Sequence, residues 1–70
     1  MKVGFIGFGN MAQALAEGFV ATGALKPGEI GACARDRAKL LRNTESKGFL
    51  AFDDAAGVAE FADMVIVAVK

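Results

Sequence analysis

Gly7, Gly9 and Ala12 stand in a Gly-x-Gly-x-x-Ala spacing near the start of the chain. Each of the three has a chemical use. Gly7 lets the backbone turn tightly after an apolar run. Gly9 has no side chain, so a pyrophosphate can come against the backbone. Ala12 is small enough for a helix to pack closely on the preceding strand. Amides near Asn10, Met11 and Ala12 then point at phosphate oxygens from the positive end of a helix dipole. The chemistry implied is capture of a dinucleotide. A turn kept only for packing is the plainer alternative. An apolar run before the glycines and a helical pattern after them, inside a unit of about 30 residues, favour the nucleotide.

The form of that nucleotide is decided at the end of the second strand. A site for NAD wants a carboxylate there, about 20 residues on, to hold the ribose hydroxyls. The position is Ala34, and Glu29 lies before the strand instead of after it. Arg35 follows Ala34, and a guanidinium there can grip a 2′-phosphate bidentately. Arg35, Arg37, Lys39, Arg42 and Lys47 oppose only Asp36 and Glu45, a local net charge of +3. NADP is therefore the expected cofactor, with NADPH preferred over NADH. Arg37, Arg42 and Lys47 read as a solvated helix face. Asp36 reads as a helix cap; a carboxylate reaching the ribose would let NAD be used too. Lys70 falls on the ligand-binding side of the sheet, where a role near the nicotinamide competes with that of a plain exposed lysine.

Other chemistries are excluded by composition. The 70 residues contain no His, Trp or Tyr, so no His-based triad and no His metal site can be built. Cys33 is the one cysteine; it reads as a small core residue, and a single thiol in a reducing compartment fits a cytoplasmic protein. No catalytic residue and no metal ligand is assigned. Eight basic and eight acidic side chains balance, which leaves no electrostatic footprint for nucleic acid. The apolar run Met64–Val69 has six residues, far short of the ~18–20 of a membrane span.

The positioning elements follow from periodicity. Val3–Ile6, Ile30–Ala34, Phe49–Phe52 and Met64–Val69 read as strands. Met11, Leu15 and Phe19, with Ala12, Ala16 and Val20, recur at helical spacing, and Gln13 and Glu17 mark the solvent side. Asp36 opens a second helix to about Thr44. Asp53 or Asp54 caps a third, from Ala55 to Phe61. Alternating strands and helices mean crossover units and a parallel α/β sheet of Rossmann type, order 3-2-1-4, with helices on both faces. Fourteen alanines make a thin core. The fourth strand, apolar at every position, suits burial on both faces and a fifth neighbour. The expectation is a partial nucleotide-binding domain over residues 1–70, truncated before a fifth strand.

The run Val3-Gly4-Phe5-Ile6-Gly7-Phe8-Gly9-Asn10-Met11-Ala12-Gln13-Ala14-Leu15-Ala16-Glu17-Gly18-Phe19 resembles the amino-terminal signature of pyrroline-5-carboxylate reductases. The ending Asp63-Met64-Val65-Ile66-Val67-Ala68-Val69-Lys70 resembles that family's fourth strand and its Ala-Val-Lys stretch. The resemblance implies NAD(P)H-dependent reduction of 1-pyrroline-5-carboxylate to L-proline. It places Ile6, Gly7, Phe8, Gly9, Asn10 and Met11 along the pyrophosphate. Ala34 and Arg35 fall at the adenosine end, and Ala68, Val69 and Lys70 on the ribose and nicotinamide side. It further implies a small-molecule substrate and a homo-oligomer, both served by a helical carboxy-terminal domain absent from these residues. The sequence departs from the family where Ala34 replaces a small polar residue, and where Asp54-Ala55 replaces an Asn. Two alternatives stay open: another NADP-dependent dehydrogenase of hydroxyacid or prephenate type, and a non-catalytic nucleotide-binding module.

Overall fold

The structure, a computed structural model, describes residues 1–69. Its elements run β1 (Val3–Ile6), α1 (Asn10–Ala21), a 3-10 turn (Pro27–Glu29), β2 (Ile30–Cys33), α2 (Arg37–Glu45), β3 (Leu50–Ala51), α3 (Ala55–Phe61) and β4 (Met64–Val67). The strands form one parallel sheet in the order β3-β2-β1-β4, as the alternating pattern predicts.

The pairing of β1 with β2 sorts the side chains. Val3 lies beside Ile30, Gly4 beside Gly31 and Phe5 beside Ala32. Because successive residues of a strand face opposite ways, Val3, Phe5, Ile30 and Ala32 share one face. They pack with Ala12 and Ala16 of α1, Leu40 of α2, and Phe49. Burying a side chain such as Phe5, Ile30 or Leu40 stabilises the fold by about 1.5–3 kcal/mol.

Gly4 and Gly31 point the other way, toward α3. A Cβ on Gly4 would collide with Val58 Cγ1 and lie 2.9 Å from the Ala62 Cβ. On Gly31 it would lie 2.5 Å from the Phe52 ring and 3.0 Å from that of Phe61. The third helix thus lies against a strip of bare backbone. The Phe52 and Phe61 rings meet at a tilt of 42°, 5.1 Å apart, beside it, with the Lys2 ammonium 5.4 Å from the Phe61 ring. Helices cover both faces: α1 and α2 one, α3 the other.

Local chemistry ends the helices. The Asp36 carboxylate accepts from the Lys39 amide at 3.1 Å and caps α2. Asp54, not Asp53, caps α3, accepting from the Gly57 amide at 2.9 Å. Asp53 pairs with Arg37 at 2.6 Å. Gly23, with φ of 78°, takes the left-handed turn after α1 that favours glycine. Thr44 is fully buried on α2, its hydroxyl donating to the Leu40 carbonyl at 2.8 Å.

Three strands are shorter than their apolar runs. Phe49 leaves the third because its amide closes α2, donating to the Thr44 carbonyl at 3.0 Å, while its ring joins the core. Ala34 lies beyond β2, and Ala68 and Val69 beyond β4. The fourth strand is also not buried on both faces. Met64, Val65 and Val67 are exposed, Val67 by 65%, because β4 is an edge that pairs only with β1 among the described residues. No helix among the described residues is long and apolar enough to cross a membrane.

Glu29 ties the beginnings of the first two strands together. It accepts from the Lys26 amide at 2.9 Å and from the Met1 ammonium at 3.2 Å. The amide bond, followed by the ammonium, holds its carboxyl below the ordinary value of 4.5. A depressed carboxyl stabilises the fold above its unfolded-state pKa and loses that effect as the pH falls through the folded one. Thermal melts from pH 6 to pH 3 should therefore show a smaller acid-induced loss for Glu29→Gln than for the unmodified chain.

Candidate functional site

A cleft of about 740 Å³ opens where β1, β2 and β4 end. It is within the ~300–1,000 Å³ of small-molecule sites. Its floor is the run from Phe8 to Gln13; Ala34, Asp36, Lys39, Leu40 and Asn43 form one wall, and Val67, Ala68 and Val69 the other. The chain crosses from β3 on one side of β1 to β4 on the other, so the cleft lies at the reversal of strand order, where open α/β sheets bind ligands.

Three contacts set the glycine turn. The Gly7 amide donates to the Cys33 carbonyl at 2.9 Å. Phe8 is only 6% exposed; its ring lies 5.8 Å from that of Phe5 and meets Phe49 edge-on at 6.0 Å. The Gln13 side-chain amide donates to the Phe8 carbonyl at 3.2 Å. Gly7 has to be glycine twice over. Its φ is 93°, and a Cβ would lie 2.8 Å from the Ala68 carbonyl oxygen and 2.7 Å from Val69 Cγ1.

Gly9 differs. Its φ of −79° and ψ of −166° suit any residue, and a Cβ there would meet nothing within 4 Å. Neither conformation nor packing asks for glycine, and the space kept clear in front of it is the cleft. Gly9 also starts α1, whose first turn has no side-chain cap. Aspartates cap α2 and α3, whereas the α1 amides at the cleft floor are left to an external acceptor. An uncapped helix start beneath a bare backbone fits a pyrophosphate.

The anticipated residues separate into groups. Phe8, Gly9, Asn10, Met11, Ala12, Ala68 and Val69 line the cleft together. Phe8 contributes through its backbone, since its ring is in the core, and Met11 projects with 74% exposure. Ile6 and Gly7 stand behind the lining as the end of β1 and the turn itself. Arg35 is exposed beyond β2 and does not line the cleft; the cation that does is Lys39. Lys70 lies outside the described residues.

Gln13, Leu40, Asn43 and Val67 are lining residues that sequence reasoning missed. Gln13 was expected to face solvent, yet it is half-buried because it bonds to the glycine turn. For Lys39, Leu40 and Asn43 a signal existed: one turn and two turns beyond the Asp36 cap, they share the helix face that begins at the second strand's end. Among the described residues no group of three or more His, Cys, Asp and Glu could hold a metal ion.

Residues 2–70 match the family model described as NADP oxidoreductase, coenzyme F420-dependent. The whole chain is 40% identical to a pyrroline-5-carboxylate reductase of Treponema pallidum, covering 27% of that protein. It is 38% identical over 69 residues to the pyrroline-5-carboxylate reductase of Escherichia coli, covering 26% of it. The solved structure of a pyrroline-5-carboxylate reductase from Coxiella burnetii superposes with a TM-score of 0.85 at 35% identity, over 97% of this chain and 25% of that one. The chain spans about a quarter of the length of the relatives it matches. A parallel sheet in this order, a glycine turn under an open helix start and a match over residues 2–70 place the chain in the family described as NADP oxidoreductase, coenzyme F420-dependent.

Proposed function

We propose that this chain supplies the dinucleotide-binding part of a reductase that converts 1-pyrroline-5-carboxylate to L-proline, with NADPH preferred over NADH. The observation that carries the reading is the clear space at Gly9 over the uncapped start of α1. A reduced nicotinamide, when bound, supplies hydride to the imine carbon. The chain's own residues bind and orient. The Gly9–Ala12 backbone holds the pyrophosphate, Ala68, Val69 and Lys70 flank the ribose and nicotinamide, and Lys39 in the cleft wall holds the 2′-phosphate, with Arg35, next in sequence to the lining residue Ala34, closing on it from outside the lining. Such a step needs positioning more than a nucleophile.

Residues 1–70 are on this reading a partial domain. The substrate pocket and the contacts between subunits of a homo-oligomer come from a helical carboxy-terminal domain, as the size of the relatives supports. A cytoplasmic setting is supported by Cys33, a free buried thiol. Nucleic acid and membranes are not partners.

Calorimetric titration of the full chain should show tighter binding of NADPH than of NADH. Charge-assisted hydrogen bonds are worth about 1.5–3 kcal/mol, so Lys39→Ala and Arg35→Ala should each cost about tenfold in NADPH affinity and little in NADH affinity. Equal affinities for the two cofactors in the unmodified chain would sink the NADPH preference. Formation of proline from 1-pyrroline-5-carboxylate by the protein that carries this chain tests the reaction.

A further inference from the structure

We propose that Gln13 is a positioning residue for the pyrophosphate. Its side chain fixes the peptide between Phe8 and Gly9, so that the Gly9 N–H faces the incoming anion and the Phe8 carbonyl does not. The inference rests on the nucleotide reading above and deepens it, since that reading gives Gln13 no part.

Gln13 lines the cleft and holds both peptides that flank Gly9. Its side-chain Nε2 donates to the Phe8 carbonyl at 3.2 Å. Its backbone amide donates to the Gly9 carbonyl at 3.0 Å. A peptide unit is planar, and none among the described residues is cis. In a trans unit the N–H points opposite to the carbonyl. Both carbonyls are turned toward Gln13, so the N–H groups of Gly9 and Asn10 are directed away from it. Neither of those amides has an acceptor among the described residues. Gly9 and Asn10 both line the cleft, so these are donors kept for an external anion.

The two ties differ in kind. The backbone tie belongs to the first turn of α1 and forms with any residue that has an N–H. The side-chain tie depends on what stands at position 13. Without it the Phe8 carbonyl has no donor among the described residues. The Phe8–Gly9 plane is then free to swing while the Phe8 ring stays in the core. Half a turn of that plane carries the Gly9 φ from −79° to about +100°, a region that glycine enters freely. A carbonyl oxygen would then stand where the N–H had been, and it repels phosphate. The bare backbone that makes room for the anion is thus also a backbone that can turn the wrong way, and Gln13 prevents it.

Gln13→Met keeps the length of the side chain and removes the donor. Gln13→Ala, which leaves nothing to pack, is the second variant. Both are made in the full-length protein that carries this chain, and thermal melts check that each is folded. Calorimetric titration is expected to show a loss of about fivefold in affinity for NADPH and for NADH alike, the size of one neutral hydrogen bond, with the ratio of the two unchanged. Nuclear magnetic resonance reads the peptide itself. Phe8-Gly9 is the only Phe-Gly pair in the 70 residues, so carbonyl-13C phenylalanine with 15N glycine selects its amide. That signal is expected to be single in the unmodified protein and doubled or exchange-broadened in the variants. Affinities within twofold of the unmodified protein in the folded variants would overturn the proposal alone. So would a loss of affinity with the Phe8–Gly9 signal still single and sharp, because Gln13 would then act by another route. A folded, unmodified protein that binds neither cofactor would overturn the nucleotide reading and this inference with it.

Discussion

Gly9→Val is expected to lower affinity for both NADPH and NADH by at least a hundredfold while the chain still folds. The two halves of that expectation have separate causes. Gly9 has ordinary extended dihedral angles and nothing within 4 Å of a Cβ, so an isopropyl group enters open space and costs the fold little. The same group stands over the first amides of α1, where a pyrophosphate would lie. Losing two charge-assisted hydrogen bonds of about 1.5–3 kcal/mol each amounts to a factor of a hundred or more. Calorimetry measures the affinity and a thermal melt the fold. Retained binding by the folded variant would remove the glycine turn from the site. Gly7→Val would be uninformative by comparison, because the φ of 93° and the contact with Ala68 make it damage the fold first.

The second large effect concerns stability and lies on the opposite face of the sheet. Gly4→Ala places a methyl group against Val58 Cγ1 and 2.9 Å from the Ala62 Cβ, both on the rigid backbone-near part of α3 and its end. Overpacking of this kind costs about 1–3 kcal/mol. For a chain of this size each kcal/mol moves the melting midpoint by about 4–8 °C, so a fall of about 5–20 °C is expected. Gly18→Ala is the control. Gly18 is in α1 and a Cβ there meets nothing, so the methyl group should raise stability by about 0.5–1 kcal/mol through the better helix propensity of alanine. Equal melting points for Gly4→Ala and the unmodified chain would mean that α3 does not rest on the sheet as described.

These contrasts show what a sequence can and cannot disclose here. The apolar runs and their alternation with helical spacing were enough for the strand order, because right-handed crossovers leave few arrangements. The glycine turn was legible because its spacing is local. The pairing of Gly4 with Gly31 was not, since register between strands is a tertiary fact. The choice between Asp53 and Asp54 turned on which carboxylate meets a first-turn amide of α3, and it is Asp54 that accepts from Gly57 while Asp53 pairs with Arg37. Gln13 was misplaced because helical periodicity assigns it to solvent, while the bent turn brings the Phe8 carbonyl within its reach. Arg35 adjoins the end of β2 in sequence, yet Lys39, one helical turn into α2, is what reaches the cleft.

The glycine turn is held by three ties that do not involve a ligand: the Gly7 amide on the Cys33 carbonyl, the Phe8 ring in the core, and the Gln13 side chain on the Phe8 carbonyl. Its backbone is thus ordered by folding itself. Ordering a residue costs roughly 1–2 kcal/mol of conformational entropy, and here that cost falls on folding and not on association. An anion arriving at the cleft meets preorganised amides and has no loop to arrange, so its affinity is not taxed by a disorder-to-order step. The aromatic contact that stabilises the core is in this sense also what makes the surface above it ready to bind.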